Sequence, residues 1–298
     1  MRLHILTGVT AVGKTARALQ WAADHNAEII SCDATLFYRG MDIGAAKPTP
    51  AERAAVPHHL IDTNDVSEPM DVARYTALAR QAAAGIRARG REVLVTGGSG
   101  FYLKAWFTPV ADAIAVPPEI RARVAALFET EKLPALLAEL RRLNPGGLGA
   151  LDTANPRRVT RALERCLASG RTLADQKAAF DNLPPPFAGW EIHCAELTRD
   201  PADTDARVCR RAAAMLDAGL VDEVRRLRAL GLEKNPAAVS AIGYRETLAH
   251  LDGGLSRDAL LEAIVQRTRR LVRKQRAWFR TQLPPHRLVP ADSAAPLF

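Results

Sequence analysis

Eight consecutive residues constrain this chain more than any others: Gly8-Val9-Thr10-Ala11-Val12-Gly13-Lys14-Thr15 fill the pattern GxxxxGK[ST] without a gap. Such a loop works between a buried strand and a helix. Its glycines let successive backbone N–H groups converge on phosphate oxygens, and the helix N-terminus behind them adds a favourable dipole. The flanks agree with this. Leu3 to Thr7 is a short apolar run suited to a buried strand, and Thr15 to Asn26 sets Ala16, Leu19, Ala22 and Ala23 at helical spacing. Lys14 is expected to reach the outer phosphate, and the Thr15 hydroxyl to ligate Mg²⁺.

The alternation continues beyond the loop. Glu28 to Cys32 predicts a second strand ending at Asp33, Val72 to Arg89 an Ala-rich helix stopped by Gly90, and Glu92 to Thr96 a third strand. Trp190 to Leu197 suits a later strand. The fold class expected is therefore α/β, a P-loop core with a parallel sheet and helices on both faces. From about Asp112 to Pro186 the pattern is helical only, opened by Pro117-Pro118 and closed by Pro184-Pro185-Pro186. This predicts a helical insertion domain over 112–186, set into a core made of 1–111 and 187–283. Residues 284–298 lack periodicity and are expected to form a loose tail.

Composition narrows the class further. Of 298 residues, 48% are hydrophobic and 25% charged, which excludes disorder, collagen and coiled coil. No stretch approaches the roughly 18 apolar residues of a membrane helix, and the chain enters the glycine loop too soon for a secretory leader. Cys32, Cys166, Cys194 and Cys209 are scattered, so neither disulfides nor zinc is expected and a cytoplasmic setting is. The net charge of +8 fits a polyanionic partner. Monomer is the default oligomeric state.

A phosphate cradle does not identify a reaction. Nucleotide hydrolases usually place an Asp at the end of a later apolar strand to hold Mg²⁺, whereas Val93-Leu94-Val95 runs into Thr96-Gly97-Gly98-Ser99. The acid that stands out is Asp33, at the carboxyl edge of the sheet where sites of open α/β folds lie. It suits a base that takes a proton from an incoming nucleophile, or, structurally, a loop or capping residue.

The residues after Asp33 decide between these. Asp33-Ala34-Thr35-Leu36-Phe37-Tyr38-Arg39-Gly40-Met41-Asp42-Ile43-Gly44-Ala45-Ala46-Lys47-Pro48 resembles the segment that bacterial tRNA dimethylallyltransferases (tRNA isopentenylpyrophosphate transferases) carry at this distance from their P-loop. The resemblance continues through Pro57-His58-His59-Leu60-Ile61-Asp62, Gly97-Gly98-Ser99-Gly100-Phe101-Tyr102, Asn155-Pro156-Arg157-Arg158-Val159, Ala241-Ile242-Gly243-Tyr244-Arg245 and Arg273-Lys274-Gln275 to Trp278. It implies transfer of a dimethylallyl group from dimethylallyl diphosphate to N6 of the adenosine 3′ of the anticodon in tRNA, with Mg²⁺ and release of diphosphate. The cradle then holds a diphosphate leaving group, which accounts for the missing strand-end acid.

By the same resemblance Asp33 is the general base, Ser99 contacts substrate near the reacting centre, and Arg207 binds the diphosphate; its ordinary alternative is a solvated charge on an amphipathic helix. Contacts with tRNA are implied for Asp33, Ala34, Thr35, Leu36, Ser99 and Arg121, for Arg157, Arg158, Val159, Thr160 and Arg161, and for Ser240, Ala241, Ile242, Gly243, Tyr244 and Arg245. They are implied also for Arg273, Lys274, Gln275, Arg276, Ala277, Trp278, Phe279 and Arg280. Arg267 to Arg280 carries seven positive charges, no acid and two aromatics, which suits phosphate contacts and base stacking.

Three departures stand out. Ala34 replaces the usual Ser, Ala45 the usual Thr, and Ser99 a Thr. The absence of a C-terminal Cys/His zinc module points to the bacterial type. His58 and His59, being adjacent, point apart and read as structural or site-lining residues. Two other functions stay open at this point: prenylation of a free adenine nucleotide, and RNA binding with a vestigial P-loop.

Overall fold

The computed structural model describes residues 1–111 and 114–298, in two compact units. The first comprises Met1–Val110 and Pro185–Phe298. Its first segment contains β1 (Arg2–Gly8), α1 (Lys14–Asp24), β2 (Ala27–Ser31), α2 (Pro50–Ala55), β3 (His58–His59), α3 (Val72–Ala88), β4 (Glu92–Thr96) and α4 (Gly100–Phe107).

The second unit, Ala111–Pro184, holds α5 (Pro118–Leu143), α6 (Pro156–Ser169) and α7 (Leu173–Asp181) around its own core of Val124, Leu136, Leu140, Val159 and Leu163. Pro118 and Pro156 occupy first helical turns, where the missing N–H costs nothing. α5 is broken at Lys132, with φ 62°, two residues before Pro134. The insertion expected over 112–186 begins at Asp112, which with Ala113 lies outside the described residues.

The chain then returns to the first unit with β5 (Glu191–Thr198), α8 (Pro201–Asp217), α9 (Leu220–Ala229), a 3-10 turn (Leu232–Lys234), α10 (Pro236–Val239), α11 (Tyr244–Leu251), α12 (Arg257–Gln282) and β6 (Arg287–Pro290). Six strands form one parallel sheet in the order β3-β2-β4-β1-β5-β6. The central strands are buried on both faces, so they read as unbroken apolar runs: Leu3, Ile5 and Leu6 in β1, and Val93, Leu94 and Val95 in β4, have no exposed surface. Caps set the helix starts. Asp71 accepts from Arg74 N ahead of α3, Asp200 from Ala202 N and Asp203 N ahead of α8, and Ser256 from Ala259 N ahead of α12.

Two sequence expectations fail here. The last residues are not a loose tail. β6 pairs in parallel with β5, Ala195 opposite Arg287 through Thr198 opposite Pro290, and Val289 and Leu297 are buried. An edge strand of four residues with one buried side chain has no periodicity to read; its backbone pairing with β5 makes it a strand. On α1 the expected stripe fails at Ala16 and Ala23, which are exposed, while Ala22 is buried and Leu19 packs on the core; Ala18 and Trp21 complete the buried face, with the Trp21 indole against the His4 and Phe298 rings. Among the described residues no helix is long and apolar enough to cross a membrane.

Candidate active site

In a parallel sheet all strands deliver their following loops to one edge, and here that edge gathers the P-loop after β1, Asp33 after β2, Gly97 to Ser99 after β4, and the start of α8 after β5. Gly97 shows how tightly they meet: a Cβ there would lie 2.0 Å from the Cys32 carbonyl oxygen.

The P-loop turns into α1 through Gly13, at φ 110°. Its outward carbonyls are held by cations. Lys14 Nζ donates to the carbonyls of Gly8 (2.8 Å) and Val9 (2.9 Å), Arg207 Nε to Ala11 (2.7 Å), and Arg199 Nε to Val12 (3.1 Å). Gln275 ties the loop to its neighbour, accepting from Thr10 N and donating to Gly98 O, both at 2.9 Å. Lys14 thus folds back under the loop instead of reaching outward. Loss of water around its ammonium, reinforced by Arg211 and opposed by Asp33, pushes its pKa down to about 8.

Asp33 is partly buried. Its Oδ1 accepts from the Thr35 backbone N–H (3.0 Å) and the Thr35 hydroxyl (2.7 Å), and no hydrogen bond among the described residues reaches Oδ2. The Ser99 hydroxyl accepts from Ala34 N at 3.0 Å, so it holds the backbone beside Asp33 and keeps its proton to donate.

Two cavities open around these groups. One, of about 710 Å³, is lined by Asp33, Ala34, Thr35, Ser99, Phe101, Ser240, Ala241, Ile242, Lys274, Gln275 and Trp278, with an apolar wall from Val208, Ala212, Ile264 and Leu271. The other, of about 610 Å³, is lined by Gly13, Lys14, Thr15, Leu36, Arg207 and Arg210. Thr10, Ala11, Asp33, Ala45 and Arg211 line both.

Arg211 is a site residue that the sequence reading missed. It makes no ion pair or hydrogen bond within the described residues, burial lowers its pKa, and the Asp33 charge opposes that shift. Arg207, assigned by resemblance to the diphosphate, spends its Nε on the Ala11 carbonyl. The two stand four residues apart on α8 and share a face, so the available signal was the i, i+4 spacing.

Several residues expected at tRNA are instead enclosed. Tyr244 has no exposed surface and Val159 is a core residue, while Phe279 is almost wholly buried yet lines the first cavity. Gln275 is spent on the loop brace, and Gly243 is buried as the N-cap of α11, at φ 93°. Tyr244 serves a clamp whose centre is buried Glu223. That carboxylate accepts from the backbone N–H groups of Asp42 (3.0 Å), Ile43 (2.7 Å) and Gly44 (3.2 Å), and from the Tyr244 hydroxyl (2.7 Å), which in turn accepts from Ala45 N. The clamp fixes the wall that Gly44 and Ala45 present to the first cavity.

Of the seven cations between Arg267 and Arg280, two are neutralised by acids distant in sequence. Arg267 pairs with Glu246, and Arg269 pairs bidentately with Asp205 at 2.6 Å. Arg270, Arg273, Lys274 and Arg280 are exposed, with Arg276 and Trp278 partly so. In the second unit Arg121, Arg157, Arg158 and Arg161 are exposed, and Arg161 pairs with Glu164 at 2.8 Å.

Thr15 is exposed and lines the Lys14 cavity, and its hydroxyl makes no protein hydrogen bond among the described residues, which leaves it available to a cation. No group of three His, Cys, Asp or Glu among them could hold a metal. These residues therefore fit Mg²⁺ carried by phosphate oxygens and water rather than an all-protein cage. His59 Nε2 donates to the buried Glu28 carboxylate at 2.6 Å, and His58 Nδ1 lies 2.7 Å from the Val56 carbonyl, so both are structurally engaged.

Known proteins resemble this chain along almost its whole length. The family model described as IPP transferase matches residues 36–282. A tRNA dimethylallyltransferase of Opitutus terrae is 61% identical over 290 residues, covering 97% of this chain and 93% of that one. Among solved structures, the full-length tRNA isopentenylpyrophosphate transferase of Bacillus halodurans superposes with a TM-score of 0.69 at 32% identity, over 97% of this chain and 90% of its own. A eukaryotic dimethylallyltransferase acting on tRNA shares the fold, with a TM-score of 0.82 at 22% identity, over 97% and 74% of the two chains.

Proposed function

Since this chain belongs to the IPP transferase family, we propose that it transfers a dimethylallyl group from dimethylallyl diphosphate to N6 of the adenosine 3′ of the anticodon in tRNA, releasing diphosphate. The observation that carries this reading is the pair of cavities that meet at Asp33 and Arg211. The phosphate loop serves one of them, and apolar and aromatic side chains wall the other, which suits a donor and an acceptor approaching from two sides.

The chemistry follows from these positions. The target adenine must leave its stack to enter the first cavity. N6 is a weak nucleophile because its lone pair is delocalised into the ring, and Asp33 Oδ2 is free to take its proton as N6 bonds to the allylic carbon. As that carbon's bond to the diphosphate oxygen breaks, the electron pair leaves with the diphosphate. Loop amides, Lys14 and Arg211 balance the growing charge there. Arg207 shapes the loop through Ala11, and Ser99 holds the Asp33–Ala34 backbone. Bound Mg²⁺, held by Thr15 and phosphate oxygens, would add further neutralisation of the leaving group. The exposed cations of α12, and separately those of α6 and Arg121, supply phosphate contacts for tRNA. We assign the reaction to a cytoplasmic monomer; the four free thiols support that compartment.

A free adenine nucleotide is the second acceptor to test, because the first cavity is large enough for one. The protein is incubated with Mg²⁺, dimethylallyl diphosphate and either unmodified tRNA or AMP, and the nucleosides are weighed after digestion. An isopentenyl mass on adenosine from tRNA alone supports the reading. Modified AMP beside untouched tRNA would replace it.

A further inference from the structure

Among the described residues, the large apolar side chains most open to solvent are Met1, Phe101, Leu183, Leu230 and Leu288, and of these only Phe101 lines the first cavity. The residue is 57% exposed. The rest of α4 uses its apolar residues in the ordinary way. Leu103, Ala105 and Trp106 are buried, and Tyr102 packs on Phe37 and Tyr75. Phe101 takes no part in that packing, and among the described residues no aromatic ring stacks on it.

Its backbone is nevertheless closely packed. A Cβ on Gly100 would lie 2.5 Å from the Trp278 indole, so the first turn of α4 lies flat against α12. The same cavity rim carries exposed Arg270 and Lys274, neither of which has a hydrogen-bonded partner among the described residues. Lys104, one turn along α4, is partly buried and donates to Gln282 Oε1 at 3.5 Å. A solvent-facing ring on a closely packed backbone, with Arg270 and Lys274 on the same cavity, suits a nucleobase with its phosphates, since every base offers a π-face and every phosphate a charge. Phe101 does not line the phosphate-loop cavity, so it does not face the donor.

We propose that Phe101 is a stacking platform for a nucleotide that neighbours the target adenosine, a positioning residue of the RNA acceptor that takes the place of the stacking lost when the target base is extruded. The inference rests on the proposed acceptor being an adenosine within RNA. A free nucleotide has no neighbour to stack, so the platform acts on RNA alone.

The test compares wild type, Phe101→Ala and Phe101→Trp on an unmodified anticodon stem-loop, with a second RNA abasic at the nucleotides flanking the target, and reads KM and kcat separately. Fluorescence of 2-aminopurine placed at each flanking position reads stacking directly. Phe101→Ala should raise the RNA KM about tenfold, within the roughly 5- to 150-fold that one base–aromatic stack supplies. kcat and the KM for dimethylallyl diphosphate should change little. Phe101→Trp should restore the RNA KM, the abasic RNA should erase the difference between variants, and 2-aminopurine should be quenched by wild type but not by Phe101→Ala. An RNA KM unchanged in Phe101→Ala, or a rise that Phe101→Trp fails to reverse and that persists on the abasic RNA, would overturn the platform while leaving the transferase reading intact. No turnover of RNA by wild type would remove both.

Discussion

Lys14 offers a quantitative test of the phosphate loop. Its ammonium is held under the loop by the Gly8 and Val9 carbonyls, and burial pushes its pKa from an ordinary 10.5 down to about 8. A diphosphate ester has a terminal phosphate that titrates near pH 6, so between about pH 7 and pH 9 only the lysine changes charge. The protonated fraction of the ligand-free site falls from about nine-tenths to about one-tenth over that range. An entering dianion favours the charged lysine and draws its pKa back up. The Kd for dimethylallyl diphosphate should therefore rise about tenfold from pH 7 to pH 9, equivalent to about 1.4 kcal/mol. Calorimetric titration in buffers of different ionisation enthalpy reads both Kd and the uptake of about half a proton per ligand at pH 8. Lys14→Met should bind more weakly and without pH dependence. A wild-type Kd that stays flat to pH 9, with no proton uptake, would show that Lys14 keeps its charge throughout and overturn the prediction. On stability the sign is reversed. The folded, ligand-free protein bears the cost of a buried charge below about pH 8, and that cost fades between 8 and 10.5, where the unfolded chain keeps a proton that the folded one has released.

The two arginines of α8 should separate cleanly. Arg211→Ala should lower kcat/KM by about 10²- to 10³-fold with no loss of thermal stability, because no hydrogen bond is broken. Arg207→Ala should lower the unfolding temperature, costing about 1 kcal/mol for the Ala11 carbonyl, with a smaller kinetic effect; kinetics and thermal unfolding of both variants check this, and the reverse ranking would contradict it. Glu223→Ala leaves three backbone N–H groups and the Tyr244 hydroxyl without an acceptor, and should cost about 3 kcal/mol or more in urea unfolding. A loss below about 1 kcal/mol would show that water replaces the clamp.

The parts of this molecule legible in its sequence are those set by local pattern. β1, β2 and β4 are buried on both faces and so spell continuous apolar runs, and the P-loop is contiguous. Asp33 and Ser99 are visible through motifs that lie next to strand ends. What escaped depends on partners far along the chain. Arg207 and Arg211 share a face of α8, and only the Ala11 carbonyl, 196 residues away from Arg207, tells which one is tied down. Tyr244 and Gln275 sit in surface-like motifs yet turn inward, to Glu223 and to the loop after β4 respectively. Arg267 and Arg269 belong to an acid-free run whose acids, Glu246 and Asp205, come from α11 and α8. β6 is too short and too exposed to show a strand's alternation.

In the proposed reaction Asp33 takes the N6 proton at the junction of the two cavities. The decisive measurement is the single-turnover rate of Asp33→Asn, with saturating dimethylallyl diphosphate and tRNA and with the Kd of each determined alongside. The rate should fall by about 10²- to 10⁴-fold with both Kd values within a few-fold of wild type. A rate near wild type, or a loss that appears wholly as weakened tRNA binding, would contradict this role of Asp33.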